Sequence, residues 1–417
     1  MAGRTHVIGA GLAGLSAAIH LLKAGRDVSL YEAAGAAGGR CRSYHDATLD
    51  HRIDNGNHLV LSGNRAVMDY LKDIGASDTL TGPAAPEFPF FDLESDERWT
   101  VVLDAGFLPR AMLSKAARVP GARRGDYLKA FRLAVAGKET TVAQCLGPDN
   151  ALYRRFWEPL AVAVLNTDGD EAAASLMWPV IRETMGRGGS ACRPLTAKVG
   201  LSESFIEPAL AVLKERGAEV SFNCRLREFG IDGDRVTALS LGQDTVSLGE
   251  GDCVILAVPP SAAAGLVPGL DAPDEFRAIV NGHFRLAQKT EGFSFLGLIG
   301  GVAQWLFVRG DIVSVTVSAA DDLAEQPTEA IAGRLWADVA KALNLGDAPL
   351  PTWRIVKEKR ATFAQTPGQI RRRPPARTAL NNLFLAGDWT DTGLPATIEG
   401  TLRSGAKASD AVLENLK

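Results

Sequence analysis

The residues of this sequence that best suit chemistry are three glycines near its beginning. Gly9, Gly11 and Gly14 form the pattern G-x-G-x-x-G, with Leu12 and Ala13 between the last two. In this pattern the first glycine permits a tight turn, the second lets the backbone approach a pyrophosphate, and the third allows a helix to pack closely on a sheet. The first amides of such a helix attract phosphate. These five residues are therefore predicted to bind a dinucleotide.

A carboxylate follows at the distance that such a site requires. Glu32 lies 18 residues after Gly14, at the end of a predicted strand that begins at Val28. Its oxygens can accept hydrogen bonds from the hydroxyls of an adenosine ribose. An apolar pair at residues 7–8, a helical pattern that ends at Gly25 and this second strand are the elements that must position the site. Chance glycine spacing would not supply them in this order.

A second glycine-containing stretch narrows the choice of dinucleotide. The run Gly38-Gly39-Arg40 follows the second strand. A turn containing Asn55, Gly56, Asn57 and His58 comes soon after. A glycine pair followed by arginine resembles the motif of the amine oxidase and carotenoid desaturase superfamily, which binds FAD. The resemblance implies that Arg40 lies along the pyrophosphate and that the later turn approaches the isoalloxazine ring. The alternative for Arg40 is a solvated loop arginine.

The carboxyl-terminal part of the chain has a complementary pattern. An apolar strand ends at Gly387 and Asp388, and a helix is predicted to begin near Thr397 or Ile398. The carboxylate can bind ribityl or pyrophosphate hydroxyls, and the amino end of the helix can stabilise an anionic reduced flavin. Further predicted cofactor contacts are Leu226, Val258 and Ala396.

These patterns predict an α/β protein with an amine-oxidase-like arrangement. A discontinuous Rossmann-type FAD-binding domain is predicted from residues 1–82, 200–268 and 376–417. A second, α+β substrate-binding domain is predicted from residues 83–199 and 269–375. Arg371–Arg373 are predicted to form a solvated turn.

Three segments carry a more specific resemblance. They are Asp54-Asn55-Gly56-Asn57-His58, Phe156-Trp157-Glu158-Pro159-Leu160 with Asn166-Thr167, and Trp389-Thr390 with Gly393-Leu394-Pro395-Ala396-Thr397-Ile398-Glu399. They are similar to the bacterial hydroxysqualene dehydroxylases, also called squalene-associated FAD-dependent desaturases, of hopanoid biosynthesis. The resemblance covers the whole chain. Asn57 stands where Gln is expected, so an amide is kept.

The resemblance implies a reductive reaction with non-covalent FAD. Hydride passes from N5 of FADH₂ to the allylic carbon of hydroxysqualene, and an acid protonates the leaving hydroxyl, giving squalene, FAD and water. A positioned acid typically contributes about 10²–10⁴-fold in rate. Two candidates are His58, in the turn expected near the flavin, and His283, in a predicted strand of the second domain. A structural histidine is the alternative for each.

A C30 hydrocarbon chain also requires a long apolar tunnel. Large apolar and aromatic residues of the second domain could line it, although ordinary core packing is the favoured interpretation for any single one of them. The predicted substrate-binding residues are Phe156, Trp157, Leu165, Trp178, Phe295 and Trp305.

Composition and net charge limit the kinds of partner and the cellular compartment that are expected for this protein. With 417 residues and a net charge of −4, the molecule is not expected to bind nucleic acid. Five scattered cysteines without C-x-x-C indicate a reduced cytoplasmic protein and no metal site. No signal peptide and no transmembrane helix are expected. Reduction of FAD is expected from NAD(P)H or from a flavin reductase, since a second G-x-G-x-x-G is absent from the sequence.

The segment from Arg110 to Arg132 is basic and amphipathic. Two interpretations stay open: a solvated face of ordinary helices, or peripheral attachment to the anionic inner face of the cytoplasmic membrane.

Three other functions compete with reductive dehydroxylation. One is oxidation of a polyene or amine by a desaturase or oxidase, and another is a non-redox flavoprotein isomerase or cyclase. A third is a flavin-bearing binding protein. The last cysteine is Cys253, so a thioether to flavin near the carboxyl terminus is excluded.

Overall fold

The computed structural model describes residues 3–103, 114–289 and 293–415. A five-stranded parallel sheet contains strands from near both ends of the chain. Its strands are short, and all but the edge strand Glu219–Ser221 are almost wholly buried, as expected for a parallel sheet covered on both faces. In spatial order they are Glu219–Ser221, Val28–Tyr31, Thr5–Ile8, Cys253–Leu256 and Leu383–Leu385. The order reverses beside Thr5–Ile8, and ligands of such sheets bind at the carboxyl ends of the strands there.

Two helices from opposite ends of the chain pack on this sheet and on each other. Leu12–Lys23 follows the first strand, and Ile398–Asn415 is the last helix. Gly405 lies so close to the first helix that a Cβ there would meet the Ala13 carbonyl. The Ser16 hydroxyl donates to the Leu402 carbonyl at 2.9 Å. This contact fixes the amino-terminal and carboxyl-terminal motifs relative to each other.

The second layer is a seven-stranded, mostly antiparallel sheet. In spatial order its strands are Trp353–Phe363, Phe276–Arg285, Ile312–Val317, Trp305–Arg309, Phe293–Ile299, Glu87–Asp92 and Arg98–Val102. The sequence does not indicate a strand at residues 83–91, whereas Glu87–Asp92 is a strand that pairs in parallel with Phe293–Ile299. Proline at position 89 concealed it, because proline is unusual inside strands.

Three smaller sheets and the remaining helices complete the fold. The sheets are Leu226–Asp232 with Arg235–Leu241 and Asp244–Ser247, Ser43–Asp46 with His51–Asp54, and Val60–Leu61 with Pro194–Ala197 and Leu80–Thr81. The helices are Arg65–Asp73, Arg124–Leu128, Val142–Leu146, Glu158–Leu165, Ala174–Glu183, Glu207–Glu215, Pro260–Leu266, Asp321–Glu325, Thr328–Ala342 and Pro367–Arg371. Glu158–Leu165 and Glu207–Glu215 each follow a π-helical turn.

The strands of the two large sheets fall in separate predicted segments. Those of the parallel sheet lie within residues 1–82, 200–268 and 376–417, and those of the seven-stranded sheet within residues 83–199 and 269–375. The domain limits themselves stay a prediction. Residues 104–113, which include Arg110 at the start of the basic segment, lie outside the described residues. In the described ranges no helix is long and apolar enough to cross a membrane.

Candidate active site

The glycine turn has the backbone that its pattern predicts. Gly9 has a φ of +106°, which side chains with a Cβ rarely adopt. A Cβ at Gly14 would meet the Gly9 carbonyl. Gly11 differs, because its φ and ψ of −72° and 175° suit any residue and a Cβ there would meet no protein atom within 4 Å. The space beside Gly11 is therefore free for a ligand, at the amino end of Leu12–Lys23.

Glu32 lies at the edge of this turn and is already held by it. Its carboxylate accepts the amide of Ala10 at 2.8 Å and the amide of Ala34 at 2.8 Å. A carboxylate has about four lone-pair sites, so two remain for ribose hydroxyls. The side chain is oriented before any nucleotide binds.

Arg40 and Asp388 join the two ends of the cofactor site. Their guanidinium and carboxylate groups are 2.7 Å apart, with side chains 44% and 7% exposed respectively. Gly39 has a φ of +57°, and a Cβ there would lie 3.7 Å from Cα of Gly11. Arg40 is thus not a free loop arginine. Its guanidinium also donates to the Ala361 carbonyl, and the residue follows Gly39 beside the glycine turn, where a pyrophosphate needs positive charge.

The carboxyl-terminal motif is built around the start of the last helix. The Gly387 amide donates to the Ser404 hydroxyl at 2.8 Å, which ties the strand end to this helix. The Thr397 hydroxyl accepts the Gly400 amide at 3.2 Å and so caps the helix that begins at Ile398. The Ala396 amide donates to Gln365 at 2.9 Å. The predicted helix start is confirmed.

Arg373 was predicted to be solvated, and this prediction is wrong. Its side chain is buried and donates to the carbonyls of Thr390, Leu394 and Asp388. Burial lowers its pKa, and Asp391 and Asp388 oppose that effect. Nothing in the run of three arginines marks Arg373 as buried, because the sequence alone does not show that the loop from 388 to 394 folds over it.

An Arg373→Met variant is expected to lose cofactor affinity and stability together. It would leave three buried carbonyls without their donor, so the free energy of unfolding should fall by about 3 kcal/mol or more. Thermal unfolding and flavin retention during gel filtration measure both effects. Arg371→Met is the matched control, since Arg371 is exposed and pairs with Glu139 at the surface. Equal behaviour of the two variants would contradict the anchoring role.

The turn from Asn55 to His58 is fixed on the seven-stranded sheet by amides. The Asn57 amide donates to the Thr316 hydroxyl at 3.0 Å, and that hydroxyl donates to Asn281 at 2.8 Å. The Asn281 side-chain amide in turn donates to the Asn55 carbonyl at 3.3 Å. A Cβ at Gly56 would lie 3.2 Å from the same amide. The network connects the predicted flavin-side turn to the second layer of the fold.

The two candidate acids differ in environment. His58 is half-buried, and burial lowers its pKa while the Asp54 carboxylate raises it. His283 is fully buried with Nδ1 2.8 Å from the Ser314 hydroxyl, and burial lowers its pKa to about 4. An imidazole with a pKa of about 4 is almost wholly in its neutral form near pH 7, so it rarely carries the acidic proton that the leaving hydroxyl needs. On this ground His283 is the weaker candidate, and both roles stay predictions.

The six predicted substrate-binding residues belong to one apolar cluster. Phe156, Trp157, Leu165, Phe295 and Trp305 are buried in it, and Trp178 packs against it. Phe90 connects its parts, with ring centroids 6.4 Å from Phe156 and 5.6 Å from Trp305. Leu59, the residue after His58, also packs against this cluster. The role of the cluster in substrate binding stays a prediction.

Two other predicted cofactor contacts, Leu226 and Val258, pack in one apolar cluster with Trp389. Leu226 is buried beside Trp389, and the Val258 carbonyl accepts the Trp389 indole N–H at 2.9 Å.

Sequence reasoning missed Gln365, which is fully buried and also donates to the Leu165 carbonyl at 2.6 Å. It missed Asn281 as well. Buried polar residues within apolar strands, as in Val280-Asn281-Gly282, were the available signal.

The fold and the site together define a class of protein. The glycine turn leaves room at Gly11 for a pyrophosphate, and Arg40, Asp388 and the last helix supply polar groups suited to FAD. The chain is an FAD-dependent oxidoreductase. The family model described as flavin containing amine oxidoreductase matches residues 12–290 and 306–413. The chain belongs to this family.

Known relatives within the family are close. The chain is 48% identical to the hydroxysqualene dehydroxylase of Rhodopseudomonas palustris over 414 residues, which is 99% of both chains. It is 47% identical to that of Sinorhizobium fredii over 408 residues, which is 98% of both chains. A solved structure of putrescine oxidase bound to putrescine matches with a TM-score of 0.70 at 15% identity, covering 99% of each chain. This last likeness concerns the fold alone.

Proposed function

We propose that the protein reduces hydroxysqualene to squalene. The observation that carries the proposal is the position of His58 between two environments. Asn57 before it is held by the polar network of the flavin-side turn, and Leu59 after it packs against the aromatic cluster. The relatives that share nearly half of its residues over full length are hydroxysqualene dehydroxylases.

In this proposal each part of the chain has one task. FADH₂ supplies the hydride when bound. The glycine turn, Arg40 and Asp388 hold and orient the cofactor, while the aromatic cluster binds the hydrocarbon chain and excludes water. Burial of apolar surface contributes about 25 cal/mol per Å² to such binding. His58 gives its proton to the leaving hydroxyl, so that water rather than hydroxide departs.

The mass of the product tests this function against its rivals. Enzyme photoreduced in D₂O and mixed with hydroxysqualene should yield squalene with one deuterium, because the N5 hydrogen of reduced flavin exchanges with solvent. Simple dehydration would give a product with two hydrogens fewer than squalene, and an isomerase or cyclase would give no net reduction. Either result would refute the proposal.

The electron donor is external in this proposal. The chain has one dinucleotide-binding pattern, and that pattern is assigned to FAD. Anaerobic mixing of the oxidised enzyme with NADH, NADPH or a reduced free flavin would identify the donor by loss of flavin absorbance.

We also infer peripheral attachment to an anionic membrane through the segment from Arg124 to Val135. Three large apolar side chains are exposed there, with Leu128 at 48%, Phe131 at 43% and Val135 at 85%. Lys129 and Arg132 lie between them. Apolar residues interleaved with basic ones suit a surface of anionic lipid, and a substrate dissolved in lipid gives such contact a purpose.

A Leu128→Asp, Val135→Asp double variant is expected to lose vesicle binding. Each substitution removes apolar contact and adds a charge that anionic lipid repels, so affinity should fall by about 100-fold. Flotation with vesicles of phosphatidylglycerol and phosphatidylcholine measures it. Val199→Asp is the control, since Val199 is 63% exposed in another part of the chain. Unchanged flotation of the double variant would contradict the inference.

A further inference from the structure

Three indole N–H groups of the aromatic cluster meet no acceptor in the described ranges. They belong to Trp99, Trp157 and Trp305, and all three nitrogens are buried. Two other buried indoles are paired: Trp336 donates to the Ala348 carbonyl at 2.9 Å and Trp389 to the Val258 carbonyl at 2.9 Å. A buried donor without a partner is unfavourable, and in native proteins such a group calls for a functional explanation.

Of the three, Trp305 is the one that strand pairing links to the polar turn. Directly paired residues of neighbouring strands project to the same face of a sheet. Thr316 pairs with Asn281 on one side and with Trp305 on the other. Because the Thr316 hydroxyl accepts the Asn57 amide, Trp305 is one strand away from the anchor of the turn that carries His58.

Trp99 occupies the far end of the same row of side chains. The row continues from Trp305 to Gly297, Phe90 and Trp99, so the two indoles are three strands apart. At about 4.8 Å per strand, their backbones are about 14 Å from each other. The two side chains therefore offer the same chemical group at two distances from the polar turn.

Packing holds the Trp305 ring in place. A Cβ at Gly297 would lie 2.5 Å from the Phe90 ring, so the glycine makes room for Phe90. Phe90 in turn packs against Trp305 with ring centroids 5.6 Å apart at 63°. Trp305 itself is 8% exposed. A donor fixed in an apolar wall is suited to recognise a single oxygen atom.

We propose that the Trp305 indole N–H donates a hydrogen bond to the hydroxyl oxygen of the substrate, and that this contact distinguishes the isoprenoid alcohol from the hydrocarbon product. The inference rests on the proposed function. A long-chain isoprenoid alcohol has one polar atom, and that atom must lie within reach of His58 to receive a proton. The product lacks the acceptor, so it leaves the donor unpaired and is bound less tightly.

The test compares two ligands on oxidised holoenzyme, which binds them without turnover. Perturbation of the flavin absorbance would give the affinity for hydroxysqualene and for squalene. Trp305→Phe is expected to weaken binding of hydroxysqualene about three- to tenfold more than binding of squalene, the loss of one hydrogen bond. Replacement of Trp305 by 3-benzothienylalanine, which keeps the ring shape without the N–H, should do the same and covers a folding failure of the Phe variant. Trp99→Phe is the matched control and should keep the wild-type preference for the alcohol.

Three outcomes would overturn the inference. One is an equal loss for both ligands, which would indicate packing only, and another is loss of the preference in Trp157→Phe or Trp99→Phe instead. The third is a wild-type preference that both Trp305 replacements retain. If wild-type enzyme makes squalene in the D₂O experiment while one of these outcomes holds, only the role of Trp305 fails. If it makes none, the proposed function itself fails.

Discussion

A Gly11→Val variant is expected to fold normally and to be purified without FAD. The backbone at Gly11 suits any residue, and a Cβ there would meet no protein atom within 4 Å, so the side chain costs the fold little. The same side chain would occupy the space through which the pyrophosphate approaches the helix end. We expect FAD affinity to fall by about 100-fold or more, equivalent to about 3 kcal/mol. Flavin absorbance after gel filtration and titration of the apoprotein with FAD would measure it.

Two other glycines separate this effect from general damage. Gly333→Ala, in the helix Thr328–Ala342, also places a Cβ in open space and should keep both the fold and FAD. Gly14→Val should lose stability as well as FAD, because its side chain would collide with the Gly9 carbonyl. Full flavin content in folded Gly11→Val would contradict the assignment of the pyrophosphate to this turn.

A His58→Ala variant is expected to bind FAD but to lose about 10²–10⁴-fold in the rate of dehydroxylation, the contribution of a positioned general acid. The rate is measured by stopped-flow reoxidation of reduced enzyme with hydroxysqualene. In the wild type the protonated imidazole is the donor, and burial lowers its pKa below the usual 6.5. The wild-type rate should therefore fall as pH rises through a value below 6.5, and this dependence should be absent from the variant.

His283→Asn is the comparison that separates the two candidates. Its imidazole has a pKa of about 4, is neutral near pH 7 and contacts Ser314, so the substitution should change the rate only a few-fold. A loss of rate in His283→Asn with little effect in His58→Ala would reverse the assignment.

Sequence patterns predicted those parts of the site in which local backbone requirements decide the residue type. The glycines of the first turn, the acid after the second strand and the start of the last helix have the predicted structure. Gly9 illustrates why: a φ of +106° is accessible to glycine and strained for other residues, so the constraint is visible in the sequence. The aromatic cluster was also predicted as a set, because large apolar residues of one layer share one core.

Contacts between distant segments could not be predicted in this way. The pair of Arg40 and Asp388 joins residues near the two ends of the chain, and neither residue type at its position requires the other. Arg373 was misjudged for the same reason, since its partners are main-chain carbonyls that carry no sequence signal. The network of Asn57, Thr316 and Asn281 depends on the register of two strands, which the sequence does not determine locally.

The central claim is that this flavoprotein gives electrons to its lipid substrate. It is tested most directly by a single turnover of anaerobically photoreduced enzyme with hydroxysqualene, following flavin absorbance and the lipid product together. We expect reoxidation of the flavin with formation of one squalene per FAD. A flavin that stays reduced, together with bleaching of the oxidised enzyme by a polyene or an amine, would contradict it and identify a desaturase or oxidase on the same fold.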